Sequence, residues 1–402
     1  MIQKLSIKVF LIILLVQPIF AKKIIIKMAT LAPEGTEWHG LLVEMGQEWR
    51  KATNGDVRLR IYPGGVVGDE RDMIRKIRIG QIHGAAVTTE GMTEVNHYFT
   101  SFNYPTLYQS YEDVDYVRSE LSNELYSGTE ENGFKLLTMV DVGWVYWFST
   151  DPIYTPSDLK ETKIWTWAGD YKSVQLYEKN GFQPIPLTSM DILSGLQTGL
   201  INSMGLNPMF ALSQQIFGIA DNMLDMKWGN LTAAIIVDMK IWNRIKPDHQ
   251  KSMLSIAENL GDSFQNKNRF SSDKAVDTMK DYGLTVNTPS EKQLQEWFDL
   301  ISRMDKSFRG SFISEDAYDR LMDIKKNMSE RITGKLKWFD SKKGYGFITP
   351  MDNSQDVFVH ISAFEAAQIK NISNKMLLEF ELVDNRGRMI AGNLTRPENF
   401  NR

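Results

Sequence analysis

Five rings fall at strand spacing in one short stretch of this chain: Trp338, then Tyr345 and Phe347, then Phe358 and His360. Residues two apart on an extended strand share a face. Tyr345 and Phe347 therefore project together, as do Phe358 and His360. Lys335, Lys337 and Lys343 stand beside them, and Gly344 and Gly346 leave room for a flat ligand. Rings on one face with a basic rim stack the bases of single-stranded RNA or DNA, at about 1–3 kcal/mol per base with little sequence preference. Val357, Val359 and Ile348 supply the opposite, inward face. The rings are then left on the outside, and aromatics exposed in a row require a partner.

A second set of rings lies earlier. Nine tryptophans precede Met328. Trp38, Trp144, Trp147, Trp165, Trp167 and Trp228 fall at segment ends expected to face a cleft. Aromatic faces suit an apolar, ring-bearing or cationic ligand. If "KIWTW" is a strand, one of Trp165 and Trp167 is expected in the cleft, and Trp165 is the preferred one. Signs of catalysis are lacking. "PGGVVGDE" has clustered glycines without the Gly-Lys-Ser/Thr ending of a phosphate loop. His39, His83, His97 and His249 do not pair at metal-ligand spacing, no nucleophile elbow occurs, and there is no cysteine. The expectation is a binding protein with no catalytic residue, cofactor or metal.

The elements that must position these residues read as two modules. The chain has 402 residues, enough for two or three domains. From Met328 onward it carries 11 Lys+Arg against 9 Asp+Glu, and the remainder 35 against 41, a mild asymmetry. Residues 1–21 have Lys4 and Lys8 before an apolar run, Val9 to Val16, and end on Ala21, the pattern of an export signal. The run is shorter than the ~20 residues that span a bilayer, so no stable membrane insertion is expected after cleavage. Ile24 to Met28 reads as a strand, followed by a helix from about Glu37 with Leu41, Leu42, Met45 and Trp49 on one face. Val57, Leu59 and Ile61 alternate with Arg58 and Arg60, another strand. Met73, Ile74 and Ile77 mark a helix that stops at Gly80 before a small-residue strand. This βαβ rhythm gives an α/β class. "RIGQIHGA" and "QTGLINSM" share one layout, each a helix-to-strand turn on a left-handed glycine, Gly80 or Gly199. Later, Leu294, Trp297, Phe298, Ile301 and Met304 are expected on one helical stripe. After a boundary near Met328 come five short strand-like runs, 331–339, 345–350, 357–361, 376–384 and 389–394, a small all-β barrel.

Several strings before that boundary, "LAPEGTEWH", "RLRIYPGGVVGDERDMIRKIRIGQIHGAAVT", "TPSDLKETKIWTWAGD", "PIPLTSMDILSGLQTGLINS" and "NPMFAL", resemble the solute-binding proteins of TRAP transporters, the DctP-type family. The likeness runs from about Lys23 to Lys326. It implies a two-lobed, hinged periplasmic receptor over 22–327, with a second lobe at about 151–230, that closes on a small solute and hands it to TRAP membrane subunits. In that family an arginine after the "DLK…KI" segment clamps a substrate carboxylate by two parallel hydrogen bonds. Trp165 occupies this position here, which puts the organic-acid ligand in doubt. Asn207 aligns with a family position near the ligand, where an amide meets a solute oxygen or caps the turn before Pro208. Glu34 and Trp38 lie in the first strand-to-helix loop, where open α/β sheets bind ligands. Asp170 either orients a neighbour or meets a cationic group.

"GKLKWFDSKKGYGFITP" and "DVFVHISAF" closely resemble the two nucleic-acid-binding motifs of bacterial cold-shock proteins, over Ser329 to about Pro397. The resemblance implies an OB-like barrel over 328–402 that contacts single-stranded RNA or DNA through Lys337, Trp338, Lys343, Tyr345, Phe347, Phe358 and His360. Ile361 departs from the family pattern, which often has phenylalanine there. The two halves disagree about compartment, since the receptor belongs in the periplasm and the barrel in the cytoplasm. Three readings follow: two proteins joined in one reading frame, a functional fusion whose barrel binds nucleic acid or oligosaccharide outside the cytoplasm, or a cytoplasmic nucleic-acid binder carrying a passenger.

Overall fold

A computed structural model describes residues 23–396, apart from 270, 330, 352–354 and 386–387. The expected export signal lies outside the described residues. Strands β1 (Ile24–Thr30) and β2 (Val57–Tyr62) run parallel, joined by the helix Glu37–Ala52. Thr36 starts this helix by accepting from the His39 N–H. Leu41, Leu42, Met45 and Trp49, at the spacing of one helical face, are all buried. The Trp49 Nε1 donates to the Met253 carbonyl at 3.0 Å, which ties this helix to the long helix Pro247–Asn268. The helix Glu70–Arg78 then leads through Gly80 to β3 (Gly84–Thr88), on the other side of β1. Gly80 and Gly199 both take the left-handed conformation, φ 75° and 67°, so the paired turns are real in the fold.

Seven more strands complete a ten-stranded sheet: β4 (Phe134–Ser149), β5 (Lys163–Trp167), β6 (Gln183–Leu187), β7 (Ser203–Leu206), β8 (Asn222–Leu224), β9 (Gly229–Asp238) and β10 (Thr285–Asn287). Their order is β2-β1-β3-β9-β4-β7-β5-β6, with β8 joining β4 to β10. The 16-residue β4 belongs to both lobes. Phe134–Val145 pairs with β9 in the first, and Tyr146–Ser149 with β7 in the second. Because β10 pairs with β8, the chain returns to the second lobe well after the expected limit near 230.

The crossing is held by polar groups. The β4–β9 register shifts between Asp141 and Gly143. Asn268 donates to the Asp141 and Val142 carbonyls at 2.6 and 3.0 Å, and Asn207 donates to Val142 at 2.9 Å. The fully buried Asp141 carboxylate takes charged hydrogen bonds from Arg269, at 2.9 and 2.6 Å, and from Arg118. A buried charge without such partners is strongly unfavourable. Gly143 sits at φ 127°, and a Cβ there would lie 2.5 Å from both Asn207 Nδ2 and Ser272 Oγ. On the helix Glu291–Phe308 the buried stripe is Trp297, Leu300, Ile301, Met304 and Phe308. Phe298, expected on that stripe, is 43% exposed, because it lies a 100° step off the line through Trp297 and Ile301.

The second module is a closed barrel of β11 (Ile332–Asp340), β12 (Tyr345–Pro350), β13 (Val357–His360), β14 (Leu377–Asn385) and β15 (Arg388–Thr395), in the order β11-β12-β13-β15-β14. Its core includes Leu336, Ile348, Val359, Phe364, Leu378 and Phe380, separate from the receptor core. The helix Glu315–Ser329 runs through Met328, so the junction falls just beyond the expected boundary. Arg331 touches both modules, 5.2 Å from the Tyr116 ring and 3.1 Å from Glu381.

Gly143→Ala is expected to cost about 2 kcal/mol or more and to lower the receptor Tm by roughly 4 °C or more, since both the backbone angle and the two polar neighbours oppose a methyl group. Calorimetry on the variant checks this, and an unchanged Tm would show that the crossing is not constrained there.

Candidate functional site

A cavity of about 330 Å³ opens between the lobes. Its walls come from the ends of β1 and β3, the start of the helix Glu37–Ala52, strand β5, the end of β7 and the β4–β9 crossing. Trp38, Trp147, Trp165, Trp167 and Trp228 all line it. Trp165 and Trp167 lie two apart on β5, share a face, and stand with ring centroids 4.9 Å apart. The expectation that only one of them faces the cleft is corrected by the period of the strand. The Trp147 and Trp228 rings meet edge to face at 5.3 Å.

Two expected positions are elsewhere. Trp144 packs on Tyr111 at 4.8 Å with the Lys227 ammonium over its ring at 4.4 Å, away from the cavity wall. On β4 the cavity side is Val145 and Trp147, and Trp144 takes the other side of the alternation. Glu34 is exposed and turned out of the wall by the loop, where Pro33, Thr36 and Glu37 take its place. Asn207 does line the wall, but its amide is committed to the protein. Its Oδ1 accepts from Met209 N and Phe210 N at 2.9 and 3.2 Å, capping the helix Pro208–Ser213, while its Nδ2 holds β4.

Asp170 lines the wall as the cap of the helix Tyr171–Lys179, accepting from Ser173 N at 3.2 Å. It is also 3.6 Å from Arg71, whose guanidinium bonds Glu90 at 2.6 Å and pairs with Glu94. Arg71 therefore joins the lobes, and so does Asp69, whose carboxylate accepts from Ser189 N at 2.9 Å. Among the described residues that line the cavity there is no Lys, Arg or His, yet Glu37, Glu70, Glu90 and Asp170 are all present. Glu70 accepts from Thr88 N, Thr88 Oγ1 and Gly91 N at 2.8 to 3.0 Å. Burial pushes its carboxyl up to about 7 against those donors. Burial first, and then the charge of Asp170, push Glu90 up to about 8 despite Arg71.

Five lining residues carry a buried polar atom with no partner in the protein: Trp38 Nε1, Trp147 Nε1, Thr166 Oγ1, Ser189 Oγ and Asn230 Nδ2. Buried polar groups are normally paired, so such a concentration marks a place built for something besides itself. Glu90, Thr166, Ser189 and Asn230 had not been singled out in the sequence. Glu90 could have been, because it lies just past the C-terminal end of β3, where open α/β sheets bind ligands.

The barrel assembles the second set of rings as the alternation requires. Trp338 lies 5.6 Å from Tyr345 and 5.5 Å from Phe347, and Phe358 lies 5.7 Å from both Tyr345 and Phe347. Tyr345 pairs across the ladder with His360, which caps the helix Ile361–Ala366. A bulge between Leu336 and Trp338 inserts Lys337, so that Leu336 and Phe339 face inward and Trp338 is turned out, 38% exposed. Lys337 and Lys343 are both exposed; Lys337 is paired with Asp356 at 2.6 Å and Lys343 lies 4.0 Å from Asp340. Gly346 is buried, and a Cβ there would come 2.3 Å from the Trp338 carbonyl. That glycine is needed for strand contact, not to admit a base.

The family model "Bacterial extracellular solute-binding protein, family 7" matches residues 28–310. The chain belongs to this family. The "'Cold-shock' DNA-binding domain" model matches residues 332–397, so a cold-shock domain follows the receptor module. The 2,3-diketo-L-gulonate-binding periplasmic protein of Escherichia coli (strain K12) is 21% identical over 249 residues, 61% of this chain and 75% of that protein. The cold shock-like protein CspC of Escherichia coli (strain K12) is 45% identical over 65 residues, 16% of this chain and 94% of that protein. The TRAP periplasmic solute binding protein of Pseudomonas putida F1, solved with D-glucuronate, superposes with TM-score 0.67 at 21% identity, covering 74% of this chain and 96% of that one. A Bordetella pertussis extracytoplasmic solute receptor binding pyroglutamic acid gives TM-score 0.68 at 14% identity, covering 75% and 99%. These structures establish the two-lobed α/β receptor fold. No helix among the described residues is long and apolar enough to cross a membrane.

The buried Glu90 carries a pH signature. A carboxyl raised on folding contributes most to stability below its unfolded pKa, and that contribution is lost as pH rises to the folded value. For Glu90 the window runs from about 4.5 to about 8. Between pH 5 and 8 the receptor Tm is expected to fall relative to that of Glu90→Gln, which removes the titration. Parallel melting curves at each pH would contradict the raised pKa.

Proposed function

We propose that this chain is an extracytoplasmic solute receptor that works in the periplasm with TRAP membrane subunits, and that its solute is an apolar or ring-bearing molecule and not a simple organic acid. The observation that carries the second clause is the absence of any Lys, Arg or His among the described residues lining the cavity. A carboxylate taken out of water needs a cation or several converging donors; the wall offers no cation, and its unpartnered N–H groups, on Trp38, Trp147 and Asn230, are neutral donors that serve an uncharged solute oxygen as well. Trp165, which stands where the family resemblance places a clamping arginine, offers an indole face, and its own Nε1 is already spent on the Leu187 carbonyl at 3.1 Å. The uronate and pyroglutamate of the structural relatives belong to those proteins. The cavity here suits bodies that lie flat on indole.

Titration calorimetry with D-glucuronate and with neutral aromatic solutes separates the two ligand classes. Glucuronate is expected to bind no tighter than millimolar. Trp165→Arg is expected to raise glucuronate affinity about tenfold or more by restoring a charged hydrogen bond. Tight glucuronate binding by the unaltered receptor would overturn the apolar reading.

The second activity we propose is single-stranded RNA or DNA binding on the ring face of the barrel, with Trp338, Tyr345, Phe347, Phe358 and His360 stacking bases and Lys337 and Lys343 meeting phosphates. The ring cluster supports it: Trp338 is exposed, Tyr345, Phe347 and Phe358 are half-buried, and each ring touches two of the others. The closed barrel with a core of its own also favours the reading that the two modules work independently. Phe347→Ala is expected to weaken oligothymidylate binding by about 5- to 100-fold, the worth of one stacked base. Binding should also fall steeply with salt. Fluorescence anisotropy at two salt concentrations checks both, and an affinity indifferent to the substitution would remove the ring face from the interface.

A further inference from the structure

The geometry points to a positively charged solute in the receptor cavity, an alkyl- or arylammonium whose charge sits beside Glu90 and Asp170 and whose body lies against the indoles. This rests on the reading above that the cavity takes a solute, and names its class.

The charge balance of the wall carries the inference. Glu90 and Asp170 both line the cavity, and both are more than nine-tenths buried. Among the described residues their one cationic partner is Arg71, which is not a lining residue. It divides a single guanidinium among Glu90 at 2.6 Å, Asp170 at 3.6 Å and Glu94. Three carboxyl groups thus share one cation, and the raised Glu90 carboxyl holds its proton until a second cation arrives. Glu70 adds nothing to this surplus that the protein leaves unmet, because the backbone and hydroxyl of Thr88 and the backbone of Gly91 donate to it. Buried carboxylates without enough positive charge are costly. An anionic solute would worsen the imbalance and a neutral one would leave it standing. An ammonium reduces it.

The rings agree with the charges. Trp165, Trp167, Trp147 and Trp228 line the same cavity. An indole face attracts a cation through its quadrupole, most strongly where water is excluded. Trp165 therefore adds to the wall a surface that prefers a cation. The raised Glu90 carboxyl, flanked by Asp170, Arg71, Glu70 and Glu94, is consistent with a site short of positive charge. The unpartnered Thr166 and Ser189 hydroxyls lie in the same wall and can accept from an ammonium N–H.

Charge can be separated from shape. The full chain would be titrated, by calorimetry and tryptophan fluorescence, with choline and phenethylamine, with their neutral isosteres 3,3-dimethylbutan-1-ol and 2-phenylethanol, and with D-glucuronate. At least one ammonium is expected to bind about tenfold or more tighter than its neutral isostere. Asp170→Asn keeps a capping side chain and is expected to shrink that preference about tenfold, read as the ratio of ammonium to isostere affinity within the variant, so that an effect on closure common to both ligands cancels. Glu90→Gln should do the same, so a folding defect in one variant leaves the other to decide. Neutral isosteres that bind as well as the ammonium compounds would overturn the charge inference while leaving an apolar receptor. The absence of any ammonium binding would also overturn it. Glucuronate binding tightest would sink both this inference and the reading on which it rests.

Discussion

The receptor depends on one strand serving two lobes. The pairing of β4 with β9 through Phe134–Val145, and with β7 from Tyr146 on, makes the cavity floor continuous with the sheet of both halves. A strand that crosses between lobes must bend, and the bend leaves carbonyls unpaired. Here Asn207 and Asn268 satisfy those carbonyls, the buried Asp141 is held by two arginines, and Gly143 admits the approach. That requirement explains why Asn207 lines the cavity and yet has no capacity left for a solute. Backbone integrity at the crossing has taken precedence over ligand contact at that position.

The wall above this floor inverts the expected electrostatics. A receptor for acids needs a cation where the solute settles. This one presents indoles and carboxylates there, with Arg71 drawn aside into pairs that bridge the lobes. Ligand contact and closure are then coupled, because Asp170 belongs at once to the cavity wall and to the pair that spans the cleft.

Much of the fold was legible because it rests on local patterns. The helical stripe of Leu41, Leu42, Met45 and Trp49, the alternation in β2 and the two left-handed glycines all depend on neighbours in sequence. The barrel strands were placed to within a residue or two for the same reason. What was not legible depends on register or on distant partners. Trp144 and Trp147 are three apart in sequence and fall on opposite sides of β4. Trp165 and Trp167 are two apart and fall together. Trp338 points outward only because Lys337 forms a bulge, which alternation cannot supply. Gly346 looked like room for a base, but it answers to a carbonyl on the neighbouring strand. Of the buried cavity carboxylates Asp170 had been named, whereas Glu70 and Glu90 were missed because one acidic residue reads like any other until the fold buries it.

The two modules share a chain without sharing a core. Only a short junction follows the helix Glu315–Ser329, and the barrel closes on itself. Each module's surface is therefore built on a core of its own. For the receptor, the most direct measurement is mass spectrometry of the small molecule released when the protein, purified from its native cells without added solute, is denatured. The account predicts a ring-bearing or ammonium compound lacking a net negative charge, present in near-equal amount to the protein. A uronate or another sugar acid at that stoichiometry would contradict it.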